Sequence, residues 1–92
     1  MKLDLERTNQ FKRDFKREKS GQHSDLETVL TEVLTLLLSG KPLPASRKDH
    51  PLKGGWKGYR DCHLKADLVL IYKKTKDAII LVRLGSHSEL FS

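Results

Sequence analysis

Histidine is the side chain that both gives and takes protons near neutrality. Three of the four histidines in this sequence, His50, His63 and His87, fall in its second half, interspersed with Asp61, Asp67 and Arg83. Cleavage of an RNA strand by its own 2′-hydroxyl needs a base for the hydroxyl proton and an acid for the leaving 5′-oxygen. It also needs cations over the phosphorane. Two histidines with Arg and Lys supply these without a metal. Against that chemistry stands a plainer one: on spacing alone, solvated loop positions are the more frequent explanation of His50 and His87. His23 reads as ordinary surface in a helix turn. Asp and His are metal ligands, but no HExxH, CxxC or comparable spacing organises them. Cys62 is the only cysteine, which excludes an intrachain disulfide and a multi-cysteine zinc site. Walker A and Rossmann glycine patterns are absent.

These residues need elements to position them. Residues 2–6 alternate with period two and predict a short strand. Thr8 or Asn9 can cap a helix over 9–19, with Phe11 and Phe15 on one side and Lys12, Arg13, Lys16, Arg17 and Lys19 covering the rest. Gly21 ends it. Ser24 with Glu27 forms a capping-box pattern, and Leu26, Val29, Leu30, Val33, Leu34, Leu37 and Leu38 then recur at helical spacing. Gly40, Pro42 and Pro44 stop this second helix. The short link between the helices predicts an antiparallel hairpin. After residue 45 the period becomes strand-like, with strands near 56–64, 67–73 and 78–84, then a helical turn from Ser86 to Phe91. The expected fold is α+β in the order β-α-α-β-β-β-α: an antiparallel sheet with the helix hairpin packed on it.

Parity sorts the second half. A turn over 64–66 pairs His63 with Asp67 and gathers Cys62, Leu68, Leu70 and Tyr72 on the core face, with Arg60 at its edge. Tyr59, Asp61, His63, Asp67, Val69 and Ile71 then share the other face. In the last strand Ile80, Val82 and Leu84 are expected on the core face, and Ile79, Leu81 and Arg83 opposite. This arrangement turns Cys62 away from His63, which disfavours a Cys–His nucleophile pair.

The length of 92 residues predicts one domain over 1–92. Eighteen Lys+Arg against 12 Asp+Glu leave a net charge of +6, with an excess of +3 in residues 1–23 and +5 in residues 46–92. The aliphatic middle is net acidic and reads as scaffold. A basic surface on so small a domain favours an anionic partner, nucleic acid first, although Lys-rich surfaces also serve solubility alone. The longest apolar run is Leu36-Leu37-Leu38, far below the ~20 residues of a membrane span. No signal-peptide pattern opens the chain. The expectation is a soluble, cytoplasmic domain.

The run Lys48-Asp49-His50-Pro51-Leu52-Lys53-Gly54-Gly55-Trp56-Lys57-Gly58-Tyr59-Arg60-Asp61-Cys62-His63 is followed by Asp67-Leu68-Val69-Leu70-Ile71-Tyr72 and by Arg83-Leu84-Gly85-Ser86-His87-Ser88-Glu89-Leu90-Phe91. Together they resemble the YafQ family of the RelE/ParE toxin superfamily, from bacterial type II toxin–antitoxin systems, over essentially the whole chain. The resemblance implies a RelE/ParE-like fold and a ribosome-dependent mRNA endonuclease that cuts the codon in the A site. Lysine AAA codons are the family's associated target. It implies no cofactor and no metal. His50, His63, Asp67 and His87 match the family's catalytic positions, Asp61 and Phe91 match positions implicated in function, and Arg83 matches a basic position on the last strand.

The resulting assignment makes His50 the general base and His87 the general acid, with those two roles exchangeable. His63 and Arg83 stabilise the phosphate, Asp67 orients His63 or holds the protonated form of a neighbour, and Asp61 and Phe91 position the codon. Lys12, Arg13, Lys16 and Arg17 are expected against ribosomal RNA phosphates. The implied partners are a DinJ-like antitoxin, the ribosome and mRNA, with operator DNA reached only through the antitoxin complex. Leu68 departs from the family, where an aromatic residue often follows the catalytic aspartate; a core packing change is expected there. Two rivals are a gyrase-inhibiting toxin of the ParE branch, which needs no histidine cluster, and a non-enzymatic nucleic-acid-binding module.

Overall fold

The computed structural model describes residues 3–21 and 23–91. Its elements are β1 (Asp4–Arg7), α1 (Asn9–Ser20), α2 (Leu26–Leu38), β2 (His50–Pro51), β3 (Arg60–Lys65), β4 (Leu68–Lys74), β5 (Ala78–Gly85) and α3 (His87–Phe91). The expected order holds, with the two-residue β2 added. β1 runs on to Arg7 and begins at Asp4, with the predicted start at Lys2 outside the described residues, and β3 begins only at Arg60 because Gly54–Trp56 forms a 3-10 turn.

Thr8 starts α1. Its Oγ1 accepts from the Phe11 amide at 3.0 Å and donates to the Val82 carbonyl at 2.8 Å, so one hydroxyl caps the helix and ties it to β5. α2 buries Leu26, Leu30, Val33 and Leu37, a stripe at steps of three and four. Each such side chain contributes about 1.5–3 kcal/mol on full burial. The Ser24–Glu27 capping box does not form. Asp25 is the N-cap and makes no side-chain cap bond. Asp25 instead pairs with Lys65, and Glu27 lies 3.1 Å from Lys19.

The sheet runs β1-β5-β4-β3-β2. It is antiparallel except at one edge, where β1 pairs with β5 in parallel, Asp4 beside Ala78 through Arg7 beside Leu81. This corrects the expectation of a wholly antiparallel sheet. β1 connects onward through two helices, not a hairpin, so no tight turn forces it antiparallel.

The β3–β4 register also differs from expectation. His63 pairs with Val69, not with Asp67, and a bulge separates His63 from Lys65. The shift is two residues, which preserves parity: Cys62, Leu68, Leu70 and Tyr72 all join the helix-side core as predicted. In β5 the parity changes within the strand. Ile71 pairs with Arg83 but Tyr72 pairs with Leu81, leaving Val82 as the extra residue of a bulge. Leu84 therefore lies in the core as expected. Ile79 and Leu81 lie there too, contrary to prediction, whereas Val82 packs on the opposite face.

That opposite face carries a smaller apolar cluster. Val69, Ile71 and Leu90 are buried in it, with Leu52, Trp56, Tyr59, Val82 and Phe91 against them. It is the floor on which α3 and the segment around β2 sit.

Candidate active site

β2 brings His50 beside β3, directly opposite Asp61. The preceding Lys48 adopts a left-handed conformation, φ 51° and ψ 42°, which turns its carbonyl toward the His50 ring. His50 Nδ1 lies 2.7 Å from that carbonyl and 3.0 Å from Asp61 Oδ1. Both neighbours are acceptors, so Nδ1 carries the proton and Nε2 keeps its lone pair in the neutral ring. The single N–H is aimed at the Lys48 carbonyl. Asp61 Oδ1, fully enclosed, is left without a hydrogen-bond partner.

Asp61 is 2% exposed. Burial pushes its carboxyl above the usual value, and the nearby His50, His63 and His87 pull it partly back. Of the three, His50 is the one in contact with that carboxylate. His63 lies two residues further along β3, on the same face. His87 opens α3 and is exposed, with its ring 4.8 Å from the Phe91 ring. Leu90, buried on the open-face cluster, anchors that turn.

The remaining predicted residues are placed differently. Asp67 sits exposed in the β3–β4 turn and lines a polar hollow with Arg17, Glu18, His23, Ser86 and Glu89. It is therefore not paired with His63, and the carboxylate beneath the histidines is Asp61. Arg83 directs its guanidinium to Asp14 of α1, Nε to Oδ2 at 2.8 Å. Arg17 is likewise engaged within the protein, with Nη1 3.1 Å from Asp14 Oδ1. Lys12, Arg13 and Lys16 are exposed.

Asp14 escaped the sequence reading. It is fully buried and also accepts from the Leu84 amide at 3.0 Å. Burial alone raises its carboxyl, but the bonds from Arg83, Leu84 and Gln10 outweigh this and hold it below the usual range. Nothing marks Asp14 as special in a helix rich in charge. Asp49 was missed as well: it accepts from Tyr72 Oη at 2.6 Å and Arg60 Nε at 3.2 Å, pinning the strand segment next to His50. Cys62 is buried and its thiol is pushed up to about 12, so it is no nucleophile at neutral pH. Among the described residues no three His, Cys, Asp or Glu side chains come together as a metal site. No described helix is long and apolar enough to cross a membrane.

A small α+β domain of this topology, with histidines on its open sheet face, has the architecture of a bacterial toxin of type II toxin–antitoxin systems. The chain belongs to the YafQ toxin family, whose model matches residues 3–92. It is 44% identical over 89 residues to the mRNA interferase toxin YafQ of Escherichia coli K12, covering 96% of this chain and 95% of that one. The crystal structure of the E. coli DinJ–YafQ toxin–antitoxin complex contains a similar chain, with a TM-score of 0.85, 40% identity and full coverage of both chains. A metal-bound toxin from Helicobacter pylori is also similar, with a TM-score of 0.82 and 47% identity over 97% of this chain and 99% of that one.

Proposed function

We propose that this chain is an mRNA interferase, an endoribonuclease that cuts the codon presented in the ribosomal A site, with lysine AAA-type codons as the target. The observation that carries the chemistry is the buried Asp61 carboxylate 3.0 Å from His50 Nδ1, on a strand that carries His63 on the same face. The base is His50, whose Nε2 is left unprotonated by the hold on Nδ1, and it takes the 2′-hydroxyl proton. His87 gives a proton to the leaving 5′-oxygen. His63, backed by Asp61, carries positive charge to the phosphorane. The 2′-oxygen bonds to phosphorus as the 5′-oxygen leaves, so the products are a 2′,3′-cyclic phosphate and a 5′-hydroxyl, with no metal in the step.

Phe91 packs beside His87 and offers a face to a codon base. Asp67, at the rim next to Ser86, contacts the RNA or its 2′-hydroxyls. Arg83 acts mainly through Asp14, its partially exposed end adding positive potential. The exposed Lys12, Arg13 and Lys16 meet ribosomal RNA phosphates. A DinJ-like antitoxin neutralises the chain in the cytoplasm, and operator DNA is reached through that complex.

Primer extension on mRNA with purified ribosomes tests this. Cuts within A-site codons are expected. A gyrase inhibitor yields none, and a passive binder yields protection only; either result overturns the reading. Phosphorothioate at the scissile position tests the metal. No switch of preference from Mg²⁺ to a thiophilic ion is expected, and a clear switch assigns the metal to the chemistry.

A further inference from the structure

We propose that Arg17 is a positioning residue for His87: its guanidinium bridges α1 to α3 across Gly85 and holds the histidine-bearing turn against the site. The role rests on the reading above, in which His87 moves a proton. The sequence suggests another use for Arg17, as one of a row of helix cations facing RNA. The geometry points inward instead. Nη2 donates to the Leu84 carbonyl at 3.1 Å and lies 3.7 Å from Glu89 Oε2. Nη1 donates to Asp14 Oδ1 at 3.1 Å, and Nε to Glu18 Oε2 at 3.0 Å. One planar fork thus spans α1, the end of β5 and α3, which a lysine's single ammonium cannot do.

Gly85 records the same contact. Its φ is not in the left-handed region, so backbone strain does not require glycine. A Cβ there would meet Arg17 Nη2 at 3.3 Å and both Glu89 Oε1 and Leu90 Cδ2 at 3.5 Å. Glycine at 85 lets the guanidinium and α3 close over the strand end. On the far side, Glu89 Oε1 accepts from the Ser86 amide at 3.1 Å and its hydroxyl at 2.9 Å, while Ser86 Oγ accepts from the Glu89 amide at 3.2 Å. This reciprocal cap fixes the turn, and Arg17 fixes the cap to the body of the protein. α3 has five residues, too few to hold a helix without such anchors. Leu90 is its apolar anchor and Glu89 its polar one.

The test separates a latch from a phosphate contact. In Arg17→Ala the single-turnover cleavage rate on saturating ribosomes is expected to fall about 10–100-fold, as for a displaced catalytic group. Ribosome affinity and its salt slope stay unchanged. The thermal melt moves little, because the side chain is 45% exposed and exposed ion pairs add little stability. Arg17→Lys is expected to lose rate equally, because charge without the fork does not bridge. In the free protein, the His87 ring resonances move in both variants while those of His50 stay in place.

Weakened ribosome binding with an intact single-turnover rate overturns the proposal, as does full rescue by lysine. A melt that drops far enough to account for the lost rate also overturns it. His87→Ala is assayed alongside. If that variant cleaves normally, the proposed role of His87 fails, whereas the ring resonances of the uncomplexed Arg17 variants still decide whether Arg17 positions it.

Discussion

His50 Nδ1 and the buried Asp61 Oδ1 lie 3.0 Å apart, yet the Nδ1 proton is directed to the Lys48 carbonyl at 2.7 Å. The imidazole is therefore held by two oxygens of different kinds, one that fixes its tautomer and one that supplies charge beneath it. This division separates how His50 is oriented from how its positive form is stabilised.

His50→Ala and His87→Ala are each expected to lower single-turnover cleavage by about 10²–10⁴-fold, the range of a positioned acid or base. Ribosome affinity should hardly change. His23, 3.8 Å from Glu18 and given no part in the proton transfers, is the control expected to be silent. A near-native rate in either variant removes that residue from the proton-transfer pair.

Asp61→Asn sets activity against stability. Burial raises the Asp61 pKa above its ordinary value of 3.8 in the folded chain. A raised folded pKa gives stability that is fully present below the unfolded value and lost as pH rises through the folded one. The wild-type chain thus carries an unfavourable buried charge at neutral pH that asparagine lacks. The variant is expected to melt no lower than wild type at pH 7, with its relative advantage shrinking toward pH 3. Cleavage should fall about 10²-fold, as for loss of a preorganised electrostatic group. Melts across pH beside single-turnover rates check both halves; a variant less stable at pH 7 than at pH 3, relative to wild type, contradicts the sign.

Asp14→Ala has the opposite pH signature. Its folded pKa is lowered, so its stabilisation is present above the ordinary carboxylate value and lost as pH falls through the folded one. Removing it leaves Arg83 without its partner and the Leu84 amide unsatisfied. The expected cost at pH 7 is about 3 kcal/mol, the low end for a broken buried pair because Arg83 is partly exposed. Urea denaturation at pH 7 and at pH 3 measures it, and equal costs at both pH values count against the ion-pair account.

Phe91→Ala should slow cleavage by about tenfold or more, given that one base–aromatic stack is worth roughly 1–3 kcal/mol. Its melt should shift less than that of Leu90→Ala, because Leu90 is 7% exposed and Phe91 only partly buried. Phe91→Tyr and Phe91→Trp retain more activity than Phe91→Leu if the ring face is what matters. An activity loss no larger than the unfolded fraction makes Phe91 a core anchor instead.

Charge reversal at Lys12 and Lys16 together should weaken ribosome binding and flatten its salt dependence, since each phosphate contact releases counterions. Cleavage by the bound protein should be nearly unaffected. A salt slope equal to wild type turns this face of α1 away from the ribosome.

Much of this was legible in the sequence, and the failures share a cause. The helical run from Leu26 to Leu38 coincides with α2, although its N-cap is Asp25 and not Ser24, and β-strand parity put Cys62, Leu70 and Tyr72 in the core even though the register was off by two. Parity cannot foresee a bulge. The extra residue at Val82 reversed the faces of Ile79 and Leu81, and the one at the β3–β4 turn moved Asp67 away from His63. The histidines were legible because their chemistry is rare. Asp14 and Arg17 were not: on a helix with many charges, which ones turn inward depends on where β5 ends. The Ser86-x-x-Glu89 spacing was a readable capping signal that went unused.

The parallel contact of β1 with β5 bears on the order of folding. The Thr8 hydroxyl and the Val82 carbonyl that it bonds are 74 residues apart in the chain, whereas β3, β4 and β5 are joined by turns of a few residues. Loop closure makes such distant pairing late and slow compared with neighbouring hairpins. The meander of β3 to β5, which already contains Asp61 and His63, is the natural nucleus. The edge strand and the α1 latch arrive afterwards, so His87 is the last of the three histidines to find its place.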